Sequence, residues 1–174
     1  MRQNRQHFEK ICSLEHLFAA WKKFRKGKRS KHDVMEFERN LETNIFELRR
    51  NLLAYSYISG SYATFRIHDP KERCIHKASV MDRLVHQAIV SGIEPFFEKR
   101  FVFDSYSCRK KKGVHAALHR LQRFLRQASA NGKRPVFALK LDVRKFFDSV
   151  DHQILYDLLR SRLSSRGIMN LLIK

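Results

Sequence analysis

Asp142 is the one acidic side chain at the end of an otherwise apolar segment, Pro135-Val-Phe-Ala-Leu-Lys-Leu-Asp142, in which Lys140 is the only other polar residue. The β-branched and aromatic residues from Val136 to Leu141 predict a short buried strand. A turn is expected at Asp142-Val-Arg-Lys145, then a helical run from Asp151 to Leu163 that Ser149 or Asp148 can cap. An ionised Asp leaving a buried strand is costly unless it is paired, hydrogen-bonded or bound to a cation. Mg²⁺ is the hard cation that takes one or two carboxylates and keeps phosphates and waters as its other ligands. Asp142 is therefore a candidate metal ligand, and a plain turn cap is the competing reading. For Asp148 and Asp151, capping is the simpler role.

Other residues offer anion chemistry. Arg109-Lys110-Lys111-Lys112 precedes Gly113 and the start of a helix, whose backbone N–H groups add donors for an anion. A solvated charge run is the alternative. Arg73, with Lys71 and Arg66 nearby, stands on an expected hairpin; Arg offers planar, bidentate contact to phosphate, although charged hairpins also serve as solvated sheet edges. His115 and His119 share a helix face at i, i+4, but no carboxylate or Cys nearby completes a metal site. His76, His86, Tyr106 and Arg83 read as packing or hydrogen-bonding residues. Phe146 and Phe147 by themselves read as core.

The elements that must position these residues follow from periodicity. Leu14, Leu17, Phe18, Trp21 and Phe24 have helical spacing, with Ser13 as N-cap and Gly27 as stop. A second helix is expected over about 33–55, with Phe37, Leu41, Ile45, Leu48 and Leu52 on one stripe, packed on the first. Tyr57–His68 is rich in β-formers; Asp69-Pro-Lys-Glu72 is a turn signal, and Arg73–His76 completes a hairpin. Met81, Leu84, Val85, Ala88, Ile89 and Ile93 make a wide apolar helical face, and Pro95 bends or restarts that helix. Residues 101–113 are irregular and basic. Val114 to Ala128 predicts an amphipathic helix with Leu118, Leu121, Phe124 and Leu125 inward, ended by the Asn131-Gly132 turn. The fold class expected is α/β, mainly helical α+β.

Composition narrows the function classes. In 174 residues, 36 Lys and Arg against 17 Asp and Glu give a net charge of +19, spread along the chain, which favours a polyanionic partner over mere solubility. A hydrophobic content of 43%, including 14 Phe, is too apolar for a disordered chain. Cys12, Cys74 and Cys108 show no C-x-x-C spacing, so neither a disulfide framework nor a zinc site is indicated. A reducing, cytoplasmic setting is expected. The start of the chain lacks a signal-peptide core, no apolar run approaches the roughly 18 residues of a membrane span, and no membrane partner is expected.

Three segments, in order, resemble successive blocks of reverse transcriptases of the bacterial type found in group II introns, retrons and diversity-generating retroelements. They are Arg73-Cys-Ile-His-Lys-Ala-Ser-Val-Met-Asp-Arg-Leu-Val-His-Gln-Ala88, Tyr106-Ser-Cys-Arg-Lys-Lys-Lys-Gly-Val-His-Ala-Ala117 and Lys140-Leu-Asp-Val-Arg-Lys-Phe-Phe-Asp-Ser-Val-Asp-His152. The two N-terminal helices also resemble the leader of the diversity-generating group. The resemblance implies a helical leader over 1–56, fingers over 57–134 and the start of a palm over 135–174. It makes Asp142 a catalytic aspartate and, with the Val143 carbonyl, a ligand of Mg²⁺, with Mn²⁺ as an alternative. It places Arg73, Lys71 and Arg109 near an incoming nucleotide, with Phe147 closing the space beside the sugar 2′-hydroxyl. Lys110, Lys111, Lys112 and Arg83 are implied as nucleic-acid contacts. The implied partners are an RNA template, a DNA or RNA primer, deoxynucleotides and an accessory protein.

The same family carries further carboxylates on a Tyr-x-Asp-Asp hairpin, and this sequence has no Asp-Asp pair. One Asp does not anchor two ions. The expectation is therefore the fingers and first part of the palm of an RNA-directed DNA polymerase, inactive by itself as a truncated, split or decayed copy. The alternative is a nonenzymatic RNA- or DNA-binding module that kept the basic face.

Overall fold

The computed structural model describes residues 2–163 and 165–173. It is mixed α and β and mainly helical, in keeping with the expected class. The helices are α1 (Arg2–Ile11), α2 (Leu14–Phe24), α3 (His32–Arg39), α4 (Leu41–Leu53), α5 (Val80–Glu98), α6 (Val114–Ala128), α7 (His152–Arg160) and α8 (Arg166–Ile173), with strands β1 (Ala63–His68) and β2 (Glu72–Lys77) between α4 and α5. Packing groups the chain into two compact units. One holds the described residues up to Glu94 together with those from Asp151 on; the other is Pro95–Val150.

The first unit owns the core. Ser13 caps α2 by accepting the His16 N–H, and the stripe Leu17, Ala20, Trp21, Phe24 that follows is buried. α2 packs on α4, which buries Ile45, Leu48 and Leu52 as the heptad-like spacing requires. Trp21 lies between Phe24 and Phe37, at ring separations of 5.6 and 4.9 Å. α5 buries Val80, Leu84, Val85, Ala88 and Ile89. Two histidines tie it to the N-terminal helices: His7 Nε2 donates to the Gly92 carbonyl (3.2 Å) and His16 Nε2 to the Ala88 carbonyl (2.8 Å). The helix runs through Pro95, although proline removes the hydrogen bond to the carbonyl one turn back.

Several expectations are corrected. The helix expected over 33–55 is two helices broken at Asn40 (φ −119°, ψ 36°). The Asn44 side-chain amide donates to the Phe37 carbonyl (3.0 Å), the acceptor that a continuous helix would reserve for its own backbone. The buried strand over Val136–Leu141 is not formed. Phe137, Leu139 and Leu141 are exposed by 94, 84 and 81%. A strand needs a neighbouring ladder, and the only sheet among the described residues is the antiparallel β1–β2 pair, in register from Ala63↔Lys77 to His68↔Glu72. The α6 bounds are as expected, but Leu118, Leu121, Phe124 and Leu125, expected inward, are exposed. In α7 the cap is Asp151, whose carboxylate accepts from Gln153 and Ile154 N–H, rather than Ser149 or Asp148.

α1 and α8 had no sequence signal. α1 has too few apolar residues for a stripe, yet Phe8 and Ile11 are 3 and 1% exposed. It packs on α8, where a Cβ at Gly167 would lie 2.5 Å from Phe8 Cγ. Phe8 also stacks on Tyr55 (5.2 Å, 9° between planes), so its ring has little room to yield.

At the junction of α4, the hairpin and α5 lies Asp82, 3% exposed. Its carboxylate accepts from the Tyr57 hydroxyl, from the Ser79 hydroxyl (2.6 Å) and from the Gly60 N–H (3.2 Å to each oxygen), while the Asp82 N–H donates to Ser79 Oγ (3.0 Å). The Ser79-x-x-Asp82 spacing is that of a capping box. Burial pushes the Asp82 carboxyl up, but the hydrogen bonds from Ser79, Tyr57 and Gly60 outweigh it and hold its pKa below the ordinary value. Burial, and then the bond to this carboxylate, push the Tyr57 hydroxyl up.

Two outcomes follow for urea unfolding read by Trp21, the single and buried tryptophan of this unit. Gly167→Ala should destabilise by about 1–3 kcal/mol through overpacking against Phe8, whereas Gly113→Ala, with nothing within 4 Å, should change little; equal effects would contradict the packing. A depressed folded pKa contributes stability above the unfolded value of about 3.9 and loses it as pH falls through the folded value. Asp82→Asn should therefore cost about 2 kcal/mol at neutral pH, and its deficit should shrink as pH drops below about 4. A deficit constant down to strongly acid pH would contradict the role of the ionised carboxylate.

Candidate nucleic-acid interface

The two units hold different sets of candidate residues. In the first, Arg73 lies exposed on β2 opposite Ile67, and Lys71 is exposed in the turn, where its carbonyl accepts the Asp69 N–H (3.3 Å). Arg66 donates to Glu72 across the strands (3.0 Å), an exposed pair. Arg83 is a strut: its guanidinium donates to Asp33 (2.5 Å) and to the Ser79 carbonyl (3.3 Å), and lies 5.2 Å from the Phe24 ring centre. Asp33 also accepts from Lys77 (2.7 Å), so one carboxylate joins α3 to the end of β2 and to α5. Burial pushes its pKa up, yet the bonds from Lys77 and Arg83 prevail and hold it low.

The second unit carries the basic loop and Asp142. Arg109 leaves only 8% of its side chain exposed and directs its donors into its own loop. Nε reaches both Glu98 oxygens (3.0 and 3.1 Å), Nη2 reaches Glu98 Oε1 (2.8 Å), and Nη1 reaches the Val102 and Ser105 carbonyls (2.9 and 3.1 Å). Those bonds hold the Glu98 carboxyl below its usual range. Lys110 and Lys111 are exposed, the latter with left-handed backbone (φ 59°). Lys112 donates to the Phe103 carbonyl and sits 3.7 Å over the Phe103 ring. Arg120, which the sequence reading did not single out, pairs with Asp104 (2.8 and 3.3 Å) and holds that carboxyl low.

Along α6 the polar face is basic. A concavity of about 490 Å³ is lined by His119, Gln122, Arg123, Arg126, Gln127, Ala130 and Asn131, without a carboxylate. Such a surface suits a chain of phosphates better than a metal or a neutral metabolite.

Asp142 and Val143 are exposed in a segment without regular structure. Phe147 is 86% exposed and meets Phe146 edge to face at 5.4 Å, beside Lys145 with φ 50°. No group of three His, Cys, Asp or Glu side chains that could hold a metal occurs among the described residues. The residues described thus do not by themselves fit a two-metal centre. Cys12, buried and pushed up to about 12 by desolvation, is chemically quiet. No helix among the described residues is long and apolar enough to cross a membrane.

No family model matches the chain. Protein YkfC of Escherichia coli (strain K12) is 28% identical over 130 residues, which is 71% of this chain and 34% of that protein. Nuclear intron maturase 1, mitochondrial, of Arabidopsis thaliana is 26% identical over 91 residues, 52% of this chain and 12% of that protein. The chain therefore spans about a third of the length of one of these curated relatives and about an eighth of the other, and it has sequence similarity to an intron maturase.

Proposed function

We propose that the chain is the RNA- and heteroduplex-binding fingers, with the start of the palm, of a reverse-transcriptase-like protein. The observation that carries the binding half is the basic, carboxylate-free concavity on α6, in a unit that also exposes Lys110 and Lys111 and in a chain of net charge +19. The polymerase half is supported by the three ordered sequence blocks and by the similarity to an intron maturase.

In this reading Arg123, Arg126, Lys110 and Lys111 neutralise backbone phosphates, and the A-form duplex is recognised by shape rather than by sequence. In the first unit the hairpin offers Arg73, with Lys71, as cations for the triphosphate of a deoxynucleotide; in the second, Phe147 offers an aromatic ring for a sugar. Asp142, with the Val143 carbonyl, contributes one arm of a Mg²⁺ or Mn²⁺ site that needs further carboxylates. A second reading, binding without synthesis by this chain, is favoured by the absence of an Asp-Asp pair.

Counterion release gives the test. Affinity for an RNA–DNA heteroduplex should fall by about a thousandfold between 50 and 200 mM salt, as for a protein making about six phosphate contacts. Replacing Arg123 and Arg126 by Ala should reduce the slope of log affinity against log salt by about two. An affinity independent of salt would sink the proposal.

A further inference from the structure

Phe103 is the feature of the second unit that a basic surface alone does not explain. The residue is 65% exposed, although Lys112 Nζ lies over its ring at 3.7 Å from the centre and the Arg120 guanidinium over it at 5.3 Å. With both cations in place, most of the residue's surface remains exposed. Phe101 and Val102 beside it are exposed as well.

The loop that carries this ring is held from within. Arg109 ties Glu98 to the Val102 and Ser105 carbonyls through the bonds given above. Asp104 accepts from Arg120 and from the Tyr106 hydroxyl (2.9 Å), and Lys112 closes on the Phe103 carbonyl. Cys108 and Lys111 are held in left-handed backbone, at φ 56° and 59°, a conformation costly for residues with a Cβ. The loop's own polar groups are thus largely spent on its shape, leaving an exposed aromatic side chain with cations over its ring to face a ligand. Arg109, mostly buried and with its donors engaged, is placed to hold the loop rather than to grip a phosphate.

We propose that this clamped loop is a stacking platform for the unpaired bases of a single-stranded nucleic acid, with Phe103 as the stacking ring, Lys112 and Arg120 as flanking cations, and Arg109 as the positioning residue. An unpaired base has a free π face, which a duplex hides, and stacking on an aromatic ring tolerates any sequence. A cation beside the ring neutralises the phosphate attached to the stacked nucleotide. The inference rests on the nucleic-acid-binding reading and names the strand form that this loop takes.

The test uses the full chain and three fluorescent probes of equal length: oligothymidine, a duplex and an abasic strand. Phe103→Ala should weaken oligothymidine binding about tenfold and leave the duplex and abasic strand unchanged, while Phe103→Tyr should retain wild-type affinity. Arg109→Ala should show the same selective loss at unchanged helix content by circular dichroism. Unchanged oligothymidine affinity in Phe103→Ala, or an equal loss on all three probes, overturns the platform and leaves nucleic-acid binding standing. Unchanged affinity in Arg109→Ala overturns its positioning role. Failure of the unaltered chain to bind any probe overturns both readings.

Discussion

Asp82 is a carboxylate that the first unit has removed from water, and it must be compensated where it stands. The Tyr57 and Ser79 hydroxyls and the Gly60 N–H do so, which obliges the segment after α4, the loop before the hairpin and the first turn of α5 to meet at one point. Losing any one partner leaves part of a buried charge unsatisfied. The short hairpin itself, exposed along nearly its whole length, has no core of its own. Its roots are held by this carboxylate and, at the Lys77 end, by Asp33. Arg73 and Lys71 are therefore displayed on an arm whose base is fixed and whose tip is solvated.

The second unit is built on a different principle. None of its described residues is fully buried, and α6 shows an exposed apolar face as well as a basic one. What gives its loop a shape is polar: the Arg109–Glu98 fork and the Arg120–Asp104 pair. Exposed ion pairs contribute little singly, but Arg109 is mostly buried and also satisfies two backbone carbonyls, so it fixes geometry as well as charge. Glu98, at the end of α5, and Asp104, within the loop, are both consumed by internal bonds. The remaining Lys110, Lys111, Arg123 and Arg126 face outward with few carboxylates to screen them, which is the electrostatic condition for binding a polyanion.

Much of this was legible in the residues. Ser13, the α2 stripe, the hairpin turn, the apolar face of α5 and the extent of α6 follow from local rules, because capping, turn chemistry and 3.6-residue periodicity are written in neighbouring positions. What was not legible depends on distant partners. Among its described side chains α1 buries Phe8 and Ile11 alone, so its helix is justified by α8 and not by its own pattern. The segment 136–141 has strand-like composition but no neighbouring strand to pair with, and composition cannot supply one. Arg109 was readable as a phosphate ligand from its place in a basic run; that Glu98 and two carbonyls take its donors could be known only from the folded loop. The Ser79-x-x-Asp82 spacing, by contrast, was a signal in plain view, and only the burial that makes it matter was hidden.

The central claim, that a nucleic acid lies on the basic surface of the second unit, is tested most directly by photocrosslinking the full chain to RNA and to single-stranded DNA and mapping the adducts by mass spectrometry. The account predicts adducts concentrated between Phe101 and Arg126, including Phe103 and the neighbourhood of Arg123. Adducts confined to the N-terminal helices, with none in that segment, would contradict it.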